Sequence, residues 1–215
     1  YYKRLVFDEL FAHFLLSSKI RTKIKKIKKS QKIFKDYKEK LIQDLNFKLT
    51  NDQDAAIKII NHDLKSKNRM FRLLQGDVGS GKTIVSMIAA VNCINAGYQT
   101  SFMVPTEILA KQHFSFAKKY LPKNIKIEML TGKSKYADRK KILENLKLGK
   151  IDFLIGTHAL FQKKVEYNKL GLIIIDEQHK FGVRQRKELS EKGGNNCDVL
   201  VMSATPIPRT MMMTV

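Results

Sequence analysis

The stretch Gly76-Asp77-Val78-Gly79-Ser80-Gly81-Lys82-Thr83 constrains this chain more than any other. It fits the phosphate-binding pattern G-x-x-x-x-G-K-[ST] at every fixed position. Ahead of it, Met70-Phe71-Arg72-Leu73-Leu74-Gln75 is a short apolar run that reads as a buried strand. Behind it, the run from Thr83 to Val91 reads as a mostly buried helix. A strand, a glycine loop and a helix start are what phosphate binding requires. The glycines let backbone N–H groups turn inward where a Cβ would clash, and the helix N-terminus adds partial positive charge. In this arrangement Lys82 reaches the β- and γ-phosphates of ATP, and the Thr83 hydroxyl holds Mg²⁺. Without the strand and helix around it, the same stretch would read as a turn carrying a surface lysine.

A second stretch narrows the chemistry. Leu172-Ile173-Ile174-Ile175 is a mostly β-branched run ending in Asp176-Glu177-Gln178-His179. An acid at the carboxyl end of a buried strand, downstream of a phosphate loop, is the Walker B arrangement. Asp176 is then a Mg²⁺ ligand, and Glu177 beside it is placed to orient and deprotonate an attacking water. On its own, an Asp-Glu pair more often just ends a strand in solvent.

The remainder of the chain supplies the sheet that such a loop needs. Strands are predicted near 70–75, 99–104, 125–130, 151–155, 171–175 and 198–203, and helices near 82–96, 106–119, 134–148 and 184–192. Gly97 and Gly149 stand where helix C-caps belong. This alternation predicts an α/β fold, a mostly parallel sheet with helices on both faces, whose ligands bind beyond the carboxyl ends of the strands. Every unusual stretch follows a strand: the phosphate loop, Pro105-Thr106-Glu107, Thr131-Gly132, Gly156-Thr157-His158, Asp176-Glu177-Gln178-His179 and Ser203-Ala204-Thr205-Pro206. All six ends are expected on one rim.

Residues 1–45 read as a helical extension, with Leu5, Val6, Phe7, Leu10, Phe11, Phe14 and Leu15 at helical spacing and a second helix over 33–45. Lys19, Arg21, Lys23, Lys25, Lys26, Lys28, Lys29 and Lys32 follow one another with no acid between them. That run is either a basic helix touching a polyanion or a solvated helix face. Further on, Thr50 and Gln53 form a capping box for a helix reaching about His62. The Gln53 amide also offers the donor and acceptor that read an adenine edge, so two roles compete for one side chain.

The formal net charge is +21, from 41 Lys and Arg against 20 Asp and Glu, which favours a polyanionic partner. Frequent Lys, Ile and Asn also fit an AT-rich genome, so charge alone does not establish nucleic-acid binding. Cys93 and Cys197 have no C-x-x-C partner, which points to a reduced, cytoplasmic setting without a metal site or disulfide framework. No apolar run is long enough to span a bilayer. The start, Tyr1-Tyr2-Lys3-Arg4, has neither an initiator Met nor a signal pattern, so the chain reads as a piece of something longer.

Taken together and in order, the loop, Pro105-Thr106-Glu107, Thr131-Gly132, Gly156-Thr157-His158, Asp176-Glu177-Gln178-His179 and Ser203-Ala204-Thr205 resemble motifs I to III of superfamily 2 helicases and translocases. More narrowly, Pro105 to His113, Gly156 to Leu160, Asp176 to Val183 and Ala204 to Thr210 are similar to the RecG family of bacterial branched-DNA helicases. The transcription-repair coupling factors share part of this pattern but usually carry Glu where this chain has Gln178. Ser203 and Met211 depart from the usual Thr and Leu while keeping the hydroxyl and the apolar bulk. The resemblance implies a RecA-like first motor domain over residues 46–215. Residues 1–45 would lead to a wedge domain absent from the chain, and a second motor domain would also be absent. It implies ATP and Mg²⁺ as cofactors and branched DNA, forks and Holliday junctions, as partner. No membrane role and no stable protein partner is expected. By resemblance Gln53 takes adenine, while Gly76 to Thr83 bind the phosphates. Lys82, Asp176, Glu177 and His179 form the catalytic set, and Ser203, Ala204 and Thr205 couple nucleotide to DNA. Pro105, Thr106, Thr131, Gly132, Gly156, Thr157 and His158 would contact the DNA backbone, and small residues and hydroxyls at helix starts suit such contacts. A nucleotide-dependent switch without translocation is the competing reading, and Glu177 opposes it, because a switch needs no base beside its Mg²⁺ ligand.

Overall fold

Runs such as Leu170–Ile175 and Asp198–Ser203 are buried along their whole length. Such strands need a sheet covered on both faces, and in parallel sheets the crossover helices provide the cover. The structure, a computed structural model, describes residues 29–44, 48–176, 192 and 194–204. Strands β1 (Phe71–Gln75), β2 (Gln99–Met103), β3 (Ile127–Leu130), β4 (Phe153–Gly156), β5 (Leu170–Ile175) and β6 (Asp198–Ser203) form one sheet in the order β1-β6-β5-β2-β4-β3. Every pairing in it is parallel. Helices α1 (Lys38–Asp44), α2 (Asn51–Lys65), α3 (Lys82–Asn95), α4 (Glu107–Tyr120) and α5 (Tyr136–Lys147) complete the described elements, with short 3₁₀ turns at His158–Phe161 and Gly194–Asn196.

The sheet separates two cores, and the two-residue period of the strands divides side chains between them. Phe102, Leu172, Ile174, Leu200 and Met202 face one core, with α2 and α3. Met103, Leu154, Ile173, Ile175, Val199 and Val201 face the other. Helix α3 is buried from Ile84 through Cys93, which explains why its sequence is apolar nearly all round. Both cysteines are free and buried, and burial raises the Cys93 thiol to about 11 and the Cys197 thiol to about 12. Gly97 and Gly149 take positive φ just after α3 and α5, as their places in the sequence predict.

The strand and helix expectations hold to within a residue or two, and α2 runs three residues past His62. Of the expected helix over 184–192 only residue 192 is described, and it is helical. Residues 1–28 of the extension lie outside the described residues. The part of the extension that is described departs from expectation. Residues 29–37 are not helical, and the helix expected from Ile33 begins only at Lys38. Lys29 and Lys32 match neither reading of the basic run, because both side chains are fully buried. Each pairs with Asp198 at the amino end of β6, Lys32 at 2.7 Å. Lys29 also donates to the carbonyls of Asp63 and Leu64, Lys32 to that of Asn196, and Asp198 Oδ1 accepts the Met70 N–H at 2.7 Å. Burial lowers the Lys29 pKa below the ordinary lysine value, and the Asp198 carboxylate opposes that shift. Asp36 continues the attachment by accepting from the side-chain amides of Asn61 and Asn92. The segment is thus a strap fastened across the domain, and a count of charges along the sequence cannot separate a solvated lysine from one that neutralises a buried acid.

Candidate nucleotide and nucleic-acid site

All six strands end at one rim. Strand register aligns Gln75 with Ser203, Val201 with Ile175, Ile175 with Met103, Met103 with Gly156, and Gly156 with Leu130. β6 lies between the strand that leads into the phosphate loop and the strand that ends at Asp176. Its last residue, Ser203, accepts a hydrogen bond from Gly76 N at 3.3 Å. The third expected motif therefore begins physically between the other two.

In the loop, Gly79 and Gly81 take φ of 83° and 81°, values that an L side chain rarely adopts. Gly81 is the N-cap of α3, and the Lys82 ammonium donates to the carbonyls of Gly76 at 2.5 Å and Asp77 at 2.7 Å. Gln53 joins this loop from α2. Its Oε1 accepts from Thr50 N at 2.9 Å and its backbone N donates to Thr50 Oγ1 at 3.3 Å, which completes the capping box. Its Nε2 donates to Ser80 O at 2.8 Å, and a Cβ on Gly81 would collide with that same nitrogen. The amide thus caps its helix with one end and holds the loop with the other.

Asp176 follows β5, and its N–H donates to Met103 O at 2.8 Å, so its backbone is fixed to β2. Its carboxylate is largely buried and stands 3.5 Å from His113 Nε2. Among the described residues no group of three or more His, Cys, Asp or Glu side chains is placed to hold a metal. One carboxylate with a hydroxyl, here Asp176 and Thr83, is the sparse oxygen set that Mg²⁺ takes when nucleotide phosphates supply other ligands. The donor chemistry fits Mg²⁺.

Further along the rim, Pro105, Glu107, Gly132, Thr157, His158, Ala159 and Gln162 line an open groove of about 370 Å³. Thr106 Oγ1 caps α4 by accepting from Leu109 N at 3.3 Å. Glu107 accepts from Lys133 N and pairs with the Lys133 ammonium, tying α4 to the loop after β3. Of the seven expected DNA-contacting residues, Pro105, Gly132, Thr157 and His158 line the groove. Thr106 stands at its edge as the cap, while Thr131 and Gly156 are buried beneath. A Cβ on Gly156 would collide with the Leu130 carbonyl, so that glycine serves the close approach of β3 to β4. Glu177, His179 and Thr205 lie outside the described residues.

Sequence reasoning missed three contributors. Glu107 stood inside a motif but carries the wrong charge for a phosphate contact, and its partner Lys133 lies far off in sequence. Gln162 has no local signal. His113 stood at the end of a quoted run, and nothing in the run says that two turns of helix bring it to Asp176.

These features define a P-loop nucleotide-binding domain with a second polar groove on the same rim. The family model for the DEAD/DEAH box helicase matches residues 50–214, and the chain belongs to that family. Within it the chain is similar to ATP-dependent DNA helicase RecG. It is 47% identical to that protein of Streptococcus pneumoniae over 99% of this chain and 32% of the relative. With the Aquifex aeolicus protein the identity is 48% over 100% of this chain and 28% of the relative. The solved structure of RecG bound to a three-way DNA junction superposes with a TM-score of 0.84 at 44% identity, covering 99% of this chain and 28% of that one. The chain thus spans about a third of the length of the curated relatives it matches.

Proposed function

We propose that this chain is the first motor domain of an ATP-driven DNA helicase of the RecG type, acting on branched DNA such as forks and Holliday junctions. The observation that carries the reading is the convergence on one rim of the phosphate loop, Asp176 and the groove beside them. In this reading Lys82 neutralises the β- and γ-phosphates, Thr83 and Asp176 hold Mg²⁺, and Gln53 reads adenine with the N–H and oxygen lone pair left over from its bonds to Ser80 and Thr50. Mg²⁺ held there by Thr83 and Asp176 would supply positive charge against the negative charge that develops on the phosphates. Glu177 takes the proton of the attacking water. His179 and Ser203-Ala204-Thr205 link the nucleotide to the groove. Ser203 suits that task, because it ends the one strand that separates the phosphate loop from Asp176. Pro105, Gly132, Thr157 and His158 hold the sugar-phosphate backbone without reading bases, with Thr106, Thr131 and Gly156 shaping the surface behind them.

The test is DNA-stimulated ATP hydrolysis with three-way junction DNA. Lys82→Ala should abolish it without lowering the unfolding temperature, while Glu177→Gln should bind nucleotide and turn it over very slowly. A Lys82→Ala protein that retains the wild-type rate overturns the nucleotide assignment. A Glu177→Gln protein that loses binding and turnover together removes Glu177 from the role of base.

A further inference from the structure

His113 Nε2 is the one buried side-chain nitrogen or oxygen among the described residues with no hydrogen-bond partner. The imidazole is about nine-tenths buried, and Nε2 points at Asp176 Oδ2 from 3.5 Å. A buried polar atom left unsatisfied is costly and calls for a reason. Simple packing does not give one, because an apolar side chain would fill the space without that cost.

Both groups are fixed from the same strand. The His113 ring meets Phe102 edge-on, with centroids 4.8 Å apart and planes at 83°. The next residue, Met103, accepts the Asp176 N–H. The ring and the aspartate backbone are therefore held in register by the end of β2, and only the Asp176 side-chain torsions remain to be set. A movement of about half an ångström brings Nε2 and Oδ2 into ordinary hydrogen-bond range.

We propose that His113 is a positioning residue that holds one oxygen of the Asp176 carboxylate and thereby aims the other at Mg²⁺. The inference rests on the proposed role of Asp176 as the Mg²⁺ carboxylate. Mg²⁺ demands near-ideal octahedral geometry, so a carboxylate free to rotate is a poor ligand for it. Ligating carboxylates are commonly held by an outer partner, whose removal costs about 10–100-fold in metal affinity or activity. His113 supplies such a partner from α4, the helix whose first turn carries the groove residue Glu107.

The test reads metal dependence, not turnover. Mg²⁺ is titrated into the protein in the presence of a fluorescent, non-hydrolysable ATP analogue, and analogue binding is followed. His113→Phe keeps a ring against Phe102 and removes the nitrogen. Its Mg²⁺ concentration for half-saturation should rise about 10–100-fold, with metal-free analogue affinity unchanged. His113→Gln, whose amide reaches the place of Nε2, should recover most of the loss. If the phenylalanine variant does not fold by thermal unfolding, His113→Leu poses the same question with a smaller side chain. Asp176→Asn is the control for the underlying reading. Mg²⁺ dependence that survives Asp176→Asn removes the metal role of Asp176, and the proposal with it. Mg²⁺ dependence lost in Asp176→Asn but kept within twofold in the folded apolar His113 variants overturns the proposal while leaving Asp176 in its role.

Discussion

Gln53 Nε2 donates to the carbonyl of Ser80 at 2.8 Å while its Oε1 accepts from Thr50 N at 2.9 Å. One amide thus joins the start of α2 to the phosphate loop. The sequence left helix capping and ligand reading as competitors for this side chain. The geometry divides the two ends of the amide instead, and that division can be tested. Gln53→Glu keeps an acceptor for the cap, since glutamate is equally suited to this position of a capping box. It removes the donor and sets a negative charge beside a loop built for phosphate. Gln53→Glu should therefore keep the stability of the wild type to within about 0.5 kcal/mol yet bind ATP more weakly, whereas Gln53→Ala should lose about 1 kcal/mol of stability as well. Chemical denaturation and nucleotide titration separate the two losses. Equal ATP affinity in Gln53→Glu and wild type would leave Gln53 as a cap only.

Asp198 sits between Lys29 and Lys32 with all three side chains fully buried. Asp198→Asn leaves two ammonium groups buried without their counter-charge. Breaking a buried pair in this way costs about 3–5 kcal/mol. Replacing all three residues with apolar side chains of similar volume should restore most of that stability, because the desolvation cost disappears together with the attraction. Urea unfolding of the single and triple variants measures both. A single variant as stable as wild type would mean that the strap is not held by this cluster.

Most of the sheet was legible because each buried strand carries its own signal. Ile173-Ile174-Ile175 is β-branched throughout, and glycine stands where α3 and α5 stop. The phosphate loop was legible because its chemistry is local: eight adjacent residues contain the fixed pattern. The strap, the Glu107–Lys133 tie and the His113–Asp176 approach were not, because each joins residues far apart in the chain whose types are ordinary in their own surroundings. Lys29 and Lys32 belong to a run of like charges, and only the position of Asp198 in space makes them different from their neighbours. Gly156 was legible as unusual, but its reason was not, since the Leu130 carbonyl that excludes a Cβ belongs to another strand.

The groove predicts how DNA binding responds to salt. Contacts made to phosphates release counterions, so log K should fall linearly with log salt concentration, by about 0.9 per phosphate neutralised on duplex DNA. Lys133→Ala loosens the loop that Glu107 holds and removes one cation, so it should lower affinity and flatten the slope by up to about one unit. Fluorescence anisotropy with three-way junctions of unrelated sequence provides the measurement. A strong preference for one base sequence would contradict contacts confined to the backbone.

The last prediction concerns what these residues do as a polypeptide by themselves. Lys82 and Thr83 come from the phosphate loop and Asp176 from the end of β5, so together they supply one wall of a nucleotide site. Phosphoryl transfer also needs positive charge on the γ-phosphate as the transition state forms. An arginine usually brings it, raising the rate by about 10³–10⁵, or roughly 4–7 kcal/mol of barrier. Lys82 and Mg²⁺ do not replace it, because both already act on the ground state, and only interactions stronger in the transition state accelerate the step. The three arginines among the described residues are engaged elsewhere. Arg69 donates to the Cys197 carbonyl, Arg72 pairs with Asp63, and Arg139 donates to Gln162. Expressed alone, the 215 residues should bind ATP weakly and turn it over at least about 10³-fold more slowly than a full-length RecG-type helicase with the same junction DNA. Steady-state phosphate release compares the two. Turnover within tenfold of the full-length enzyme would place a catalytic arginine inside this chain, and Arg184→Ala, Arg186→Ala and Arg209→Ala, all outside the described residues, would then identify it.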